Sequence, residues 1–289
     1  MTSEQNRLFD DKGFAIDWIP PFSNDRQLLQ ARGDFFKNKE NKSFPYITSE
    51  YNDFINAFQQ SLLAHKYIKI KGLDLFTQRD VITGCQHFID QIIMTHGLRD
   101  IQVFKGGYNY YRKLDPEFAH VDLDSMMPGK PLILEYPFPS SGDRHPQYNE
   151  IISRADDMGI DVYLDCAWLP CAWEQDLDLG AHCIKGMATS LSKPFGMHWC
   201  RIGVRWLKHE TNDTIKIENQ YRMVSYPNVM IGKYYLDKFP MDYLITKYKK
   251  NYYDLCNRHD LEPLKTLVSA YSKENKGMVG VANLLLNND

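Results

Sequence analysis

Residues 131–165, PLILEYPFPSSGDRHPQYNEIISRADDMGIDVYLD, and residues 182–206, HCIKGMATSLSKPFGMHWCRIGVRW, decide the fold. PLILEYP (131–137), IDVYLD (160–165), HCIKGMATS (182–190) and RIGVRW (201–206) are short runs rich in β-branched and aromatic residues, which predict strands. Between the first two lies HPQYNEIISRADDMG, a helical pattern with proline near its start and glycine at its end. A strand, a helix and a strand within about 35 residues make a βαβ unit, so an α/β layer structure with a largely parallel sheet is expected.

Working outward, IQVF (101–104) adds a further strand. Residues 50–71 carry Phe54, Ile55, Phe58, Leu62 and Leu63 at helical spacing. ITGCQHFIDQIIMTHG reads as a second helix that closes at Gly97. The last 75 residues return to helix, with KYYLDKFPMDYLITKYKKNYYDLCNRHD as the longest stretch. Residues 1–48, with an IPP turn and the charged run RGDFFKNKENKS, read as an arm with little regular structure of its own. There is no internal repeat and no low-complexity segment.

The composition excludes several classes. The 289 residues are 43% hydrophobic and 13% aromatic, with 34 Lys and Arg against 37 Asp and Glu, an ordinary globular balance. A disordered chain would have fewer aromatics and a larger charge imbalance. No apolar run approaches the roughly 18–20 residues that span a bilayer. MTSEQNRLFDDK lacks the basic-then-apolar pattern of a secretory signal. A net charge of −3 gives no electrostatic reason to expect nucleic acid. Cys85, Cys166, Cys171, Cys183, Cys200 and Cys256 follow no metal-ligand spacing, and several sit in apolar runs such as YLDCAWL. They read as reduced thiols of a cytoplasmic protein without a metal site.

In parallel α/β sheets, functional residues gather at the carboxyl ends of strands. Two ends here are chemically distinctive. IDVYLD ends in Asp165 and continues through Cys166 and Ala167 to Trp168; HCIKGMATS ends in Ser190 and continues through Leu191 and Ser192 to Lys193, with Arg201 eight residues further on. Alone, each has a plainer reading: Lys193 before a proline is a surface lysine in a turn, Asp165 a helix cap, Arg201 an ion-pair partner, Tyr108 core packing and Gly84 a helix start. Their order and spacing carry the argument together.

SLSKPFGMHWCRIG resembles the lysine motif of the fold-type I pyridoxal-phosphate aminotransferases, S-x-[SA]-K followed by a glycine and then Arg-x-Gly. YLDCAW resembles the D-x-A-[YW] segment of that family, TGCQHFIDQII its phosphate-holding turn and helix, and KGGYNYY the segment whose aromatic side chain stacks on the cofactor ring. The resemblance covers about residues 75–206 and continues more weakly to about 262. It implies an aminotransferase-like large domain with a mostly parallel mixed sheet, plus a reduced small domain. The boundaries expected are 1–48 for the arm, 49–215 for the cofactor-binding core, and 216–289 for the remaining helices and a truncated small domain.

The resemblance also implies roles. Lys193 would form a Schiff base with pyridoxal 5′-phosphate, and Asp165 would hold the pyridine nitrogen protonated. Thr83, Gly84 and Cys85 would offer backbone N–H groups to the phosphate, with Ser190 and Arg201 as further partners. Tyr108 would cover the ring face, and the Trp168 indole would donate to the ring oxygen. The expected activity is transfer of an amino group to or from a small amine or amino acid, with a keto acid as the other substrate. Another reaction on the same scaffold (decarboxylase, lyase, racemase or oxidase) and a non-catalytic binding protein are the alternatives. A homodimer is expected, with the arm aromatics Phe14, Trp18, Phe22, Phe35, Phe36, Phe44 and Tyr46 covering either the partner or their own subunit.

Three departures stand out. The asparagine-bearing turn of the family reads YPFPSSG here, which puts Pro139 where asparagine normally faces the cofactor and leaves Trp168 or Ser140 to compensate. No arginine follows Arg258, so the carboxylate-pairing arginine of the small domain is missing. Arg205, Lys273 and Lys276 are the substitute cations considered. Third, the chain is short for the family.

Overall fold

A computed structural model describes residues 24–38 and 49–286. Its elements run in the order α1 (Arg26–Lys37), α2 (Ser49–Leu63), β1 (Ile68–Lys71), β2 (Gln78–Ile82), α3 (Cys85–His96), β3 (Gln102–Phe104), α4 (Tyr110–Leu114), β4 (His120–Val121), β5 (Leu132–Glu135), α5 (Tyr148–Asp157), β6 (Val162–Asp165), β7 (Gln175–Asp178), β8 (Ile184–Ser190) and β9 (Gly203–Leu207). They continue with α6 (Thr214–Gln220), α7 (Tyr226–Lys238), α8 (Tyr243–Arg258), β10 (Leu261–Glu262), β11 (Ser269–Ser272), β12 (Gly277–Gly280) and α9 (Ala282–Leu286).

Seven strands form the central sheet in the order β2-β9-β8-β6-β5-β3-β4. From β4 to β8 every pairing is parallel, and β9 runs antiparallel to both neighbours. The βαβ unit is β5–α5–β6, as its pattern predicts. Every strand expected from the sequence is present within a residue or two of its predicted bounds.

Side-chain alternation splits the strands between two cores. Leu132, Leu134, Val162, Leu164 and Met187 enter the larger core. Ile133, Tyr163 and Ala188 face the smaller one, where Phe88, Ile89 and Ile92 of α3 pack with Tyr111. A fully buried side chain such as Ile89 contributes about 1.5–3 kcal/mol. Two residues beyond Ile133, Tyr163 and Ala188, that second face ends in Glu135, Asp165 and Ser190. Three buried polar groups thus terminate apolar columns at the carboxyl end of the sheet.

The arm differs from expectation where it is described. Residues 26–37 form α1, capped by the Asp25 carboxylate, which accepts from the Gln27 and Leu28 N–H groups. Leu28, Ala31 and Phe35 are buried at helical spacing, the Tyr235 hydroxyl donates to the Leu28 carbonyl, and Lys247 and Tyr248 both bond Asp25. The charged run hid this periodicity. Phe35 therefore covers its own subunit, while Phe36 is exposed; Phe14, Trp18, Phe22, Phe44 and Tyr46 lie outside the described residues. The helix expected over 50–71 ends at Leu63, and IKIK starts β1, paired in parallel with β7. The long helical stretch breaks at Phe239–Pro240 into α7 and α8, since proline cannot continue a helix. Past α8 the chain forms a small antiparallel sheet, β10-β11-β12, before α9.

Candidate active site

The site lies where β5, β6 and β8 end. Gly84 is the N-cap of α3 with φ +101 and ψ 166, a backbone conformation open to glycine alone at little cost. This turn brings the phosphate-cradle candidates to Arg201. The Arg201 Nε donates to the Thr83 carbonyl at 3.0 Å, and its guanidinium lies across Gly84, where a Cβ would stand 2.9 Å from Nη2. Thr83 and Arg201 are exposed; Gly84, Cys85 and Ser190 are buried. The helix N-terminus and the solvent-facing guanidinium that crosses it both favour negative charge.

Asp165 ends β6, is 6% exposed, and accepts the Ala167 N–H at 3.0 Å. Burial raises its carboxyl above the ordinary range, against the pull of that N–H, the nearby Lys193 and the Cys85 thiol. Lys193 is partly buried on the turn after β8, and burial lowers its ammonium. Asp165, Cys85 and Cys171 act in the opposite direction, and Arg201 adds to the lowering. An amine so depressed spends more time as the free base, the nucleophilic form. The Cys85 Sγ approaches the Ala188 carbonyl at 3.6 Å, and burial and Asp165 push its thiol far up, so it stays protonated.

Tyr108 sits on the loop after β3, 36% exposed and stacked on Tyr110 at 5.8 Å and 20°. Desolvation raises its hydroxyl, with Asp165 adding to the shift and Arg201 opposing it, so both charges reach this side chain. Trp168 heads the 3-10 turn Leu169–Cys171, three residues past Asp165, and is partly exposed. Pro139 occupies the turn after β5, and Ser140 packs against Gly106 of the Tyr108 loop. Lys193 and Tyr108 are thus each close enough to Asp165, Cys85 and Arg201 to feel them electrostatically.

Two of the three substitute cations already have carboxylate partners. Arg205 is 1% exposed and wholly engaged: Nε and Nη2 reach Asp80 at 3.0 and 2.9 Å, and two further bonds of 2.8 and 2.7 Å grip Asp213. Lys273 pairs with Glu262 on the small antiparallel sheet, and Lys276 is exposed at the β11–β12 turn.

One residue was missed from sequence. Glu135, at the end of LILE, is 3% exposed, is in register with Asp165, and accepts the Tyr108 N–H at 2.8 Å. Its only signal is a charge closing a continuous apolar strand. Burial, reinforced by Asp165, pushes its carboxyl up to about 8. Its Oε2 and the buried Tyr111 hydroxyl have no hydrogen-bond partner among the described residues. Among those residues, no group of three or more His, Cys, Asp or Glu could hold a metal ion, and no helix is long and apolar enough to cross a membrane.

No protein-family model and no curated protein matches the sequence. Solved structures do. The PLP-bound C–S lyase of Staphylococcus hominis complexed with L-cycloserine superposes with a TM-score of 0.65 at 10% identity, over 96% of this chain and 88% of that one. Alanine aminotransferase of Pyrococcus furiosus gives 0.59 at 14% identity, over 88% and 73% respectively. An aminotransferase from Staphylococcus aureus gives 0.57 at 12% identity, over 91% and 88%. The fold is that of the fold-type I pyridoxal-phosphate enzymes, built here in 289 residues.

Proposed function

We propose that the protein is a pyridoxal 5′-phosphate-dependent enzyme that transfers an amino group to or from a small amine or amino acid, with a keto acid as partner substrate. The observation that carries this is the Arg201 bond to the Thr83 carbonyl across Gly84, with Arg201 and Asp165 both in electrostatic reach of Lys193. The residues fit the cofactor: a solvent-facing cation on a helix N-terminus suits a phosphate, and a buried carboxylate suits a protonated ring nitrogen. When bound, the cofactor supplies an aldehyde that joins the Lys193 amine and a substrate amine in turn, and a ring that takes up the electron pair of the reacting carbon.

The protein supplies the rest. Arg201, Ser190 and the Thr83–Cys85 turn would hold the phosphate end, and the Asp165 carboxylate would keep a proton on the ring nitrogen. Tyr108 would cover the ring, and the Trp168 indole N–H would donate to the ring oxygen in the place of the missing asparagine. The Lys193 amine, lowered by burial, moves the proton at the substrate carbon. Residues 49–215 form the cofactor-binding core on this reading, with 216–289 as the reduced remainder. The active unit is a homodimer in a cytoplasmic setting, which sizing of the loaded protein tests.

A carbon–sulfur lyase is the second reading, favoured by the C–S lyase likeness. The experiment is a panel of amines and amino acids added to the cofactor-loaded protein, with product analysis. Conversion of a keto acid to its amine supports the transferase; release of thiol and keto acid without an acceptor supports the lyase. No reaction and no spectral change with any amine would sink both.

A further inference from the structure

We infer that Glu135 is a positioning residue, whose carboxyl fixes the Gly107–Tyr108 backbone and so holds the Tyr108 ring over the Asp165 end of the sheet. The inference rests on the site reading above.

The grip is short and specific. Oε1 accepts the Tyr108 N–H at 2.8 Å, and the Gly107 N–H is held in turn by the Phe104 carbonyl at 3.0 Å. Gly107 is tightly fitted: a Cβ there would stand 2.9 Å from Glu135 Oε2, 3.1 Å from Oε1 and 3.0 Å from the Phe104 carbonyl. Only hydrogen fits between loop and carboxyl. Glu135 and Asp165 are register partners on adjacent parallel strands, so both side chains rise from one face. Two ionised carboxylates there would repel. Burial, reinforced by Asp165, holds the Glu135 carboxyl up to about 8, so it keeps its proton at neutral pH while Oε1 still accepts from the loop. The groups facing Glu135 are Tyr108 on the loop, Tyr111 of α4 and Asp165 of β6.

Three variants of the full chain test it: E135Q keeps size and acceptor, E135L removes the acceptor, and G107A leaves the carboxyl but pushes the loop off it. Amide hydrogen exchange is followed over residues 105–111, and release of pyridoxal 5′-phosphate from loaded protein is timed by absorbance. For E135L and G107A, exchange in that segment and cofactor release should each quicken by about tenfold, the effect of losing one buried hydrogen bond, with E135Q within about twofold of wild type. A merely structural Glu135 would speed exchange throughout the smaller core instead. Unchanged exchange over 105–111 in G107A overturns the inference even where E135L does not fold. Wild-type protein that takes up no pyridoxal phosphate defeats the cofactor reading, while the exchange measurements still decide whether Glu135 holds the loop.

Discussion

Two clusters of buried charge lie on the same sheet and are built in opposite ways. In one, Arg205 of β9 is closed on every side: Asp80 from β2 and Asp213 at the head of α6 take its guanidinium, and Asp213 also caps the Lys216 N–H. At the other, Glu135, Asp165 and Lys193 stand at strand ends with Glu135 Oε2 and the Tyr111 hydroxyl lacking partners among the described residues. A satisfied buried ion pair acts as structure. Buried polar groups without partners are costly to keep.

The largest predicted effect breaks the closed cluster. R205M strands Asp80 and Asp213 and should cost about 3–5 kcal/mol in urea unfolding, because removing one partner leaves uncompensated buried charge. An R205M protein with wild-type stability would erase the contrast between the clusters.

Glu135 provides the next test, through pH. The folded protein keeps a proton that the unfolded chain releases near 4.5, up to about pH 8. The native state therefore binds more protons across that window, and stability falls as pH rises through it, by about 1.4 kcal/mol per pH unit at most. E135Q should remove this slope and be the more stable protein at pH 8. Parallel slopes for the two proteins would show that Glu135 does not titrate as described.

Gly84 gives the smallest effect. G84A forces a side chain into φ +101 and should cost about 1–3 kcal/mol. It should also weaken phosphate-dependent cofactor binding more than R205M does, since Gly84 borders the Arg201 guanidinium and Arg205 is engaged by Asp80 and Asp213. Equal affinity in G84A and wild type would detach this turn from the site.

Much of this was legible in the sequence for physical reasons. The strands of the βαβ unit are apolar, short and punctuated, and α3 is bracketed by Gly84 and Gly97. The fixed spacing of Asp165, Ser190, Lys193 and Arg201 reflects two neighbouring strand ends and one turn. What was not legible depends on tertiary partners. Nothing in GVRWL states that β9 runs antiparallel, or that Arg205 would meet an aspartate from β2, 125 residues away in the chain. Glu135 carries no motif, and its role exists only because the loop after β3 folds back onto it. In α1, alternating charges masked Leu28, Ala31 and Phe35.

The central claim is that Lys193 is the covalent anchor of a pyridoxal-phosphate site bounded by Asp165 and Arg201. Borohydride reduction of the protein loaded with pyridoxal 5′-phosphate, followed by peptide mapping, tests it most directly. The cofactor mass should be found on Lys193 in wild type and be lost in K193A, together with at least about 10³ in kcat/KM. Label on another lysine, or none at all with no change in absorbance on adding the cofactor, would contradict it.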